Sequence, residues 1–121
     1  MTQNLMAASS GLPQVLASQQ LTTTAETTVY TGPASSAVKI ASANVANTSG
    51  SAVTFGLSIL KSGQTADGTH RIIPVTFSLA AGDWKKLDEL AGHFLGPGDF
   101  VSVIAGTANA IVVVLSGVVF S

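Results

Sequence analysis

The sequence predicts an all-β protein, a single antiparallel β-sandwich of about eight strands. Short runs rich in Val, Ile, Thr and aromatic residues recur at intervals of roughly 8–12 residues. Gly, Pro, Asn and Asp separate these runs and favour turns. A chain of 121 residues suits one domain with one core. We therefore predict an extended N-terminal arm, residues 1–18, followed by one sandwich domain, residues 19–121.

The arm is predicted because Gly11-Leu12-Pro13 interrupts any helix or strand pattern. It has no charged residue, whereas disordered tails are normally polar and charged. We expect it to lie along a neighbouring subunit, and a loose terminus is the alternative. Its candidate contact residues are Leu5, Met6, Leu12, Val15 and Leu16.

The sandwich domain contains the eight candidate strands. The clearest is residues 52–60, where Val53, Phe55, Leu57 and Ile59 alternate with smaller or polar residues at the period of a strand. The candidates are residues 21–24, 26–31, 37–47, 52–60, 71–79, 83–88, 100–105 and 111–120.

Glycine and proline predict two further features of the chain. Residues 48–51 are expected to close a hairpin, with Gly50 at positive φ. Pro74 lacks an N–H donor and predicts an edge position or a bulge for its strand.

The last strand, residues 111–120, is apolar on both faces, since Ile111 and Leu115 occupy one face and Val112, Val114 and Val118 the other. A strand with one wet face should alternate instead. Either another subunit or the arm covers the second face, or the strand is central and screened by loops. We favour subunit contact, which makes the three valines candidate interface residues.

Charge is scarce. Charged residues make up 9% of the chain, against about 25% in an ordinary domain, and interface cores are depleted in charge. None of the five basic residues belongs to a longer basic run, so nucleic acid is not an expected partner. The apolar stretch at 110–120 is too short for a spanning helix, so we expect no membrane segment. The chain has no cysteine.

No catalytic motif is recognisable, and we expect neither enzymatic activity nor a cofactor or metal. Asp83 and Asp99 each follow a glycine, which favours turn capping over a calcium site. Residues 67–71, including His70, are interpreted as a solvated turn that could alternatively bind a ligand. His93 has no assigned role. The charged residues Lys85, Lys86, Asp88 and Glu89 are expected to solubilise a sheet edge. Trp84 fits a position at an interface and one in the core equally well.

Five segments resemble small β-sandwich virion proteins of tailed bacteriophages. They are residues 21–31, Val45-Ala46-Asn47-Thr48-Ser49-Gly50-Ser51-Ala52-Val53-Thr54, Ser78-Leu79-Ala80-Ala81-Gly82-Asp83, Leu95-Gly96-Pro97-Gly98-Asp99 and Val114-Leu115-Ser116-Gly117-Val118. The resemblance covers residues 19–120. One departure is Ala34-Ser35-Ser36, where a turn of the Pro-Ala-Gly type is expected.

The resemblance implies a jelly-roll-like sandwich, a homotrimer, and a place on the surface of the capsid or tail. The expected function is a capsid decoration protein that stabilises the shell through the major capsid protein. A minor tail or tail-tip protein with host contact is the first alternative, and its partners would be other tail proteins. A carbohydrate-binding module is the second, although such sites use exposed aromatic residues, which are sparse here.

Overall fold

A computed structural model describes residues 11–121, and this part of the chain forms nine β-strands and one 3-10 turn. The strands are β1 (Gly11–Gln20), β2 (Thr27–Thr31), β3 (Ala37–Asn47), β4 (Val53–Leu60), β5 (Arg71–Leu79), β6 (Trp84–Lys86), β7 (Phe94–Leu95), β8 (Phe100–Ala105) and β9 (Ile111–Phe120). The 3-10 turn is Gly68–His70. Two antiparallel sheets pack against each other, so the predicted all-β sandwich is confirmed.

Sheet A has the strand order β1-β9-β3, and both β6 and β7 pair with the remaining edge of β3. Sheet B has the order β2-β8-β4-β5. Neighbouring strands in each sheet are mostly distant in sequence, because the chain passes repeatedly from one sheet to the other.

The core lies between the sheets and follows the period of two that a pleated strand imposes. On β3, Val38, Ile40, Ala43 and Val45 face inward and are buried. On β9 the inward residues are Ile111, Val113 and Leu115. Sheet B contributes Val53, Phe55, Leu57, Val101 and Val103. The ring of Phe55 also meets that of Phe77 edge to face, with centroids 5.3 Å apart.

Bulges on both sides of β9 explain why glycine occupies position 117. The register of β1 shifts between Val15 and Ala17, and that of β3 shifts between Ile40 and Ser42. A Cβ on Gly117 would lie 2.1 Å from the carbonyl oxygen of Lys39. Such an approach of backbone to backbone leaves no room for a side chain.

The predicted boundary between arm and sandwich is wrong for the described part of the arm. Residues 11–18 belong to β1, which pairs with β9 of the same chain from Gly11 opposite Phe120 to Gln20 opposite Val112. The bulge after Val15 places both Leu16 and Ala17 against the core. It thereby breaks the alternation that would have revealed a strand.

The strand predicted for residues 21–24 is absent, and these residues form the crossing from sheet A to sheet B. Leu21 is fully buried there, and its N–H donates to the carbonyl oxygen of Ile111. Its own carbonyl accepts from the N–H of Asn109. An apolar residue therefore anchors a connection rather than continuing a strand.

The connection at residues 48–51 is not a hairpin, since β3 lies in sheet A and β4 in sheet B. Gly50 is not among the residues with positive φ. Asn47 holds the connection instead: its buried amide nitrogen donates to the carbonyls of Ser51, Leu79 and Ala80, and its Oδ1 accepts from Ser49. A satisfied buried amide fixes the passage between the sheets.

Four predicted strands have the bounds that the structure shows, namely β3, β5, β8 and β9. Pro74 lies in β5, an edge strand with two register shifts against β4, as predicted. In residues 11–121 no helix has the length and apolar character needed to cross a membrane.

Candidate functional site

The side of sheet A that faces away from the core forms a broad, weakly charged surface. We call it the outer face of sheet A and define it from the register, in which paired residues share a face. Its residues are Gly11, Pro13, Val15, Ser18 and Gln20 of β1; Val112, Val114, Ser116, Val118 and Phe120 of β9; Ala37, Lys39, Ser42, Asn44 and Ala46 of β3; and Trp84, Lys86 and Phe94 of β6 and β7.

The predicted contact residues of the arm are separated by the structure. Val15 lies on the outer face of sheet A and is 59% exposed, and Leu12 at the end of β1 is 61% exposed. Leu16 instead packs against the core. Its role is therefore to hold β1 in its own sandwich, which corrects its assignment to an intersubunit contact. Leu5 and Met6 lie outside the described residues.

The three candidate valines of the last strand lie together on the outer face of sheet A. Val112, Val114 and Val118 are half-buried. Their flanks explain this, because β9 is central and each valine has a residue of β1 on one side and of β3 on the other. Strand β9 therefore has the central position that was one of the two explanations for its two apolar faces. Its outward valines still leave apolar surface accessible.

Two exposed aromatic residues complete the surface. Trp84 is 63% exposed and lies opposite Ala46, while Phe94 is 55% exposed and lies opposite Lys39. Sequence reasoning left Trp84 undecided and did not single out Phe94. The sequence Trp84-Lys85-Lys86 does indicate an outward Trp84, because alternation along a strand places it on the same face as the exposed Lys86.

Charge on the outer face of sheet A is sparse and of one sign. The two charged residues on it are Lys39 and Lys86, and all six acids of the chain lie elsewhere. The ammonium of Lys39 lies 5.9 Å from the centroid of the Phe94 ring, within cation–π range. Lys85 points the other way, to within 5.5 Å of the Phe77 ring centroid and 3.4 Å of Glu89.

The opposite surface, on sheet B, is organised by an ion pair. Arg71 of β5 forms a salt bridge with Glu26, and both side chains are mostly buried, with 14% and 21% exposed. Arg71 also donates to Ser58 Oγ at 3.0 Å, and Ser102 Oγ donates to Glu26 Oε2 at 2.7 Å. These four groups form one polar cluster, in which Glu26 Oε1 is held by the ion pair with Arg71 and has no hydrogen bond.

The carboxylates of Asp67, Asp83 and Asp99 serve turns. Asp99 accepts from the N–H groups of Gly96 and Ser62, and Asp83 accepts from that of Trp84, which confirms the predicted capping. Asp67 accepts from the backbone and hydroxyl of Thr69, and these hydrogen bonds hold the pKa of its carboxyl below the usual value.

The histidines do not share a site with each other. His70 ends the 3-10 turn before β5 of sheet B, and His93 precedes β7 of sheet A. Within residues 11–121, no three His, Asp or Glu side chains come close enough together to bind a metal ion. Asp88 and Glu89 lie in the turn after β6 rather than on a strand.

One open depression of about 280 Å³ lies beside the β4–β8 pair. It is lined by Thr24, Thr54, Phe55, Val75, Ile104, Ala105 and Gly106. This lining contains hydroxyl and hydrocarbon groups without an acid, a base or an imidazole. The depression therefore offers no group for proton transfer or metal binding.

No family model, curated protein or solved structure matches the chain.

Proposed function

We propose that this chain is a non-enzymatic structural protein of a tailed-phage virion, in the first place a capsid decoration protein that stabilises the shell. The observation that carries this proposal is the outer face of sheet A. It combines half-buried valines, exposed Trp84 and Phe94, and no acid. Charge-depleted surfaces with aromatic residues are typical of protein interfaces.

The size of the apolar groups supports docking of another protein there. Full burial of a large apolar side chain contributes about 1.5–3 kcal/mol. Trp84 and Phe94 together with Val15 therefore offer several kcal/mol that the isolated chain leaves unused. Trp is also the residue type most enriched among interface hot spots.

We further propose that the sandwich is a jelly roll. Support comes from the strand order, with β1-β9-β3 and then β6 and β7 in one sheet and β2-β8-β4-β5 in the other. The first and last strands are neighbours, and successive strands mostly alternate between the sheets. An eight-stranded sandwich of two interleaved Greek keys has this organisation, if β6 and β7 are counted as one interrupted strand.

In the decoration proposal the partner is the major capsid protein, and the chain self-associates; the resemblance implies a homotrimer. The outer face of sheet A contacts the shell. Leu5 and Met6 of the segment before β1 are proposed as further contacts with a neighbouring subunit. Neither nucleic acid nor a membrane is proposed as a partner.

The ionisable groups favour a structural role. Glu26 and Arg71 neutralise each other, and Asp67, Asp83 and Asp99 cap backbone N–H groups. Groups that are committed to folding in this way are not poised for acid–base work, which requires a group within reach of a substrate proton.

Carbohydrate binding has one observation in its favour, the exposure of Trp84 and Phe94 on one face. Their partners on β3, Ala46 and Lys39, are seven residues apart, which corresponds to about 23 Å along a strand. The two rings therefore do not form one stacking platform, and we interpret them as separate contacts with a protein surface.

The test is copy number and binding in the native particle. Decoration predicts hundreds of copies on the capsid, whereas a handful of copies in the tail would favour the tail or tail-tip alternative. Trp84→Ser and Phe94→Ser should abolish binding to particles stripped of this protein without changing the fold. Val75→Ser is the matched control, because Val75 is an exposed apolar residue of sheet B. Equal binding by all three variants would contradict the proposal.

A further inference from the structure

The basic residues of the chain differ in whether they have an acidic partner. Arg71 and Lys85 each form an ion pair with a glutamate. Lys39 and Lys86 belong to the outer face of sheet A, and neither is ion-paired with an acid in the part of the chain that the structure describes. Asp88, the acid nearest to Lys86 in sequence, lies in the turn beyond the end of β6. The two lysines of this face are therefore available to acids of another molecule.

Each of these two lysines lies beside an exposed aromatic ring. The ammonium of Lys39 is 5.9 Å from the centroid of the Phe94 ring, and Phe94 lies opposite Lys39 on the neighbouring strand. Lys86 and Trp84 are two residues apart on β6, which places them on one face and about 7 Å apart along the strand. Each pair thus offers an ammonium group next to an apolar ring, which suits a carboxylate that has hydrocarbon groups around it.

Both lysine–aromatic pairs lie on one side of the outer face of sheet A. Lys39 and Asn44, the partner of Lys86, are five residues apart on β3, which corresponds to about 17 Å along the strand. On the other side of the face, β1 and β9 have no charged residue. The face therefore consists of an uncharged part, which includes the outward valines, and a cationic margin along β6 and β7.

This distribution of charge disfavours two kinds of partner. In a two-fold contact with a second copy the face would meet itself, and it has no acid to offset its own cations. Like charges brought together in an interface are unfavourable. A nucleic acid also fits poorly, because phosphate binding needs several clustered cations, whereas the two lysines are well separated and adjoin apolar side chains.

We infer that the partner of the outer face of sheet A is an acidic protein surface, whose carboxylates pair with Lys39 and Lys86 while its apolar groups cover the valines of β9. The inference rests on the proposed function in one respect, that this face docks on another protein. Complementary charges steer the encounter of two proteins and fix their register. Two cations on one margin therefore set the orientation of the chain on its partner, which a purely apolar contact would leave open.

The first test is the rate of binding to native particles stripped of this protein. Lys39→Glu and Lys86→Glu should each lower the association rate constant about tenfold at low salt, because they replace attraction by repulsion. High salt should bring the wild-type rate toward that of the variants. Lys61→Glu is the matched control and should bind like the wild type, since Lys61 is an exposed lysine in the loop between β4 and β5.

Dissociation rates separate the role of the lysines from that of the aromatic residues. Loss of a charge at the rim of an interface acts mainly on association, whereas loss of a packed aromatic residue acts mainly on dissociation. Trp84→Ser should therefore raise the dissociation rate constant at every salt concentration, and circular dichroism confirms that each variant is folded. Lysine variants that bind at the wild-type rate in low salt would overturn the inference. The proposed function would stand in that case if Trp84→Ser still lost binding.

Carbodiimide cross-linking of the native assembly identifies the partner groups directly, because the reagent joins a lysine amine to a carboxylate in contact with it. Lys85 provides an internal control, since its Nζ lies 3.4 Å from Oε1 of Glu89 and the two should be joined in every sample. Mass spectrometry should find Lys39 and Lys86 joined to aspartates or glutamates of a different protein.

The other outcomes of these experiments are distinct. Cross-links from Lys39 and Lys86 only to acids of a second copy, or none from either lysine while Lys85 reacts, would overturn the inference. Tight binding to a short labelled DNA duplex that both lysine variants lose would do the same, because it would indicate phosphates as the partner groups. A cross-linked partner from the tail, or from outside a virion, would leave the inference standing and contradict capsid decoration.

Discussion

The two outer surfaces of the sandwich handle polar groups in opposite ways. On sheet B, Glu26 and Arg71 are mostly buried and hydrogen-bonded to Ser58 and Ser102. On sheet A the outer face has valines and aromatic residues, with two lysines and no acid to pair with them. The chain has only eleven charged residues, and two of them pair with each other on the sheet B side. The lysines on the outer face of sheet A have no acid on that face to pair with. Surfaces of the second kind are suited to being covered.

The largest effect is expected from glycines that let neighbouring strands of the same sheet approach each other closely. Gly117→Ala in sheet A puts a Cβ 2.1 Å from a backbone oxygen of Lys39, which cannot move without shifting β3. Gly56→Ala in sheet B puts a Cβ 2.7 Å from Cγ1 of Val75, a side-chain atom on an edge strand. We expect Gly117→Ala to lower the free energy of unfolding by about 3 kcal/mol or more, and Gly56→Ala by about half as much.

Chemical denaturation measures both losses. Gly50→Ala is the control, since nothing lies within 4 Å of its Cβ position and its φ is not positive; it should be neutral or slightly stabilising. Equal losses for Gly117→Ala and Gly56→Ala would show that the bulged centre of sheet A is no tighter than the edge of sheet B.

The second effect concerns the ion pair that completes sheet B. Arg71→Met leaves the mostly buried carboxylate of Glu26 without its cation. We expect the free energy of unfolding to fall by about 2 kcal/mol. Lys86→Met on the outer face of sheet A removes an exposed charge and should change stability by less than about 0.5 kcal/mol. Thermal unfolding of both variants compares the surfaces directly.

The double variant Glu26→Gln with Arg71→Met sharpens this comparison. It removes both charges, so most of the lost stability should return. If the double variant is as unstable as the sum of the single variants, the pair is not coupled as the geometry indicates.

These surfaces also show what the sequence could and could not predict. Strands β8 and β9 follow from alternation and an apolar run, and β3 has its predicted bounds although a register shift after Ile40 interrupts its alternation. β1 escaped prediction because its bulge puts Leu16 and Ala17 on one face, which mimics an irregular arm. The outer face of sheet A depends on pairing between distant segments, so Trp84 and Phe94 could not be placed on it from local pattern alone.

A smaller effect is expected where the chain crosses from sheet B to sheet A. The N–H of Ser36 donates to the carbonyl of Pro33, and Ser35 has φ of 62°. This turn needs positive φ at its third residue, the position where a Pro-Ala-Gly sequence supplies glycine. Ser35→Gly should raise the free energy of unfolding by about 0.5–1 kcal/mol, measured by denaturation. A loss of stability would mean that Ser35 is not strained there.

The smallest effect is a pH dependence at the exposed loop beside sheet B. The folded-state pKa of Asp67 lies below its ordinary value of 3.8, chiefly because Thr69 donates to the carboxylate. A depressed pKa contributes stability above the unfolded pKa, and this contribution is lost as the pH falls through the folded pKa. NMR titration should give a pKa below 3.8 that rises in Thr69→Val. An unchanged pKa in that variant would contradict the assignment.

Accessibility of Trp84 tests the central claim most directly, that the outer face of sheet A is covered in the functional assembly. Trp84 is the only tryptophan of the chain and is 63% exposed in the isolated protein. Acrylamide quenching of its fluorescence should be strong for the free chain and should fall sharply when the chain is bound to its native particle. Quenching that stays as strong in the bound state would contradict the claim.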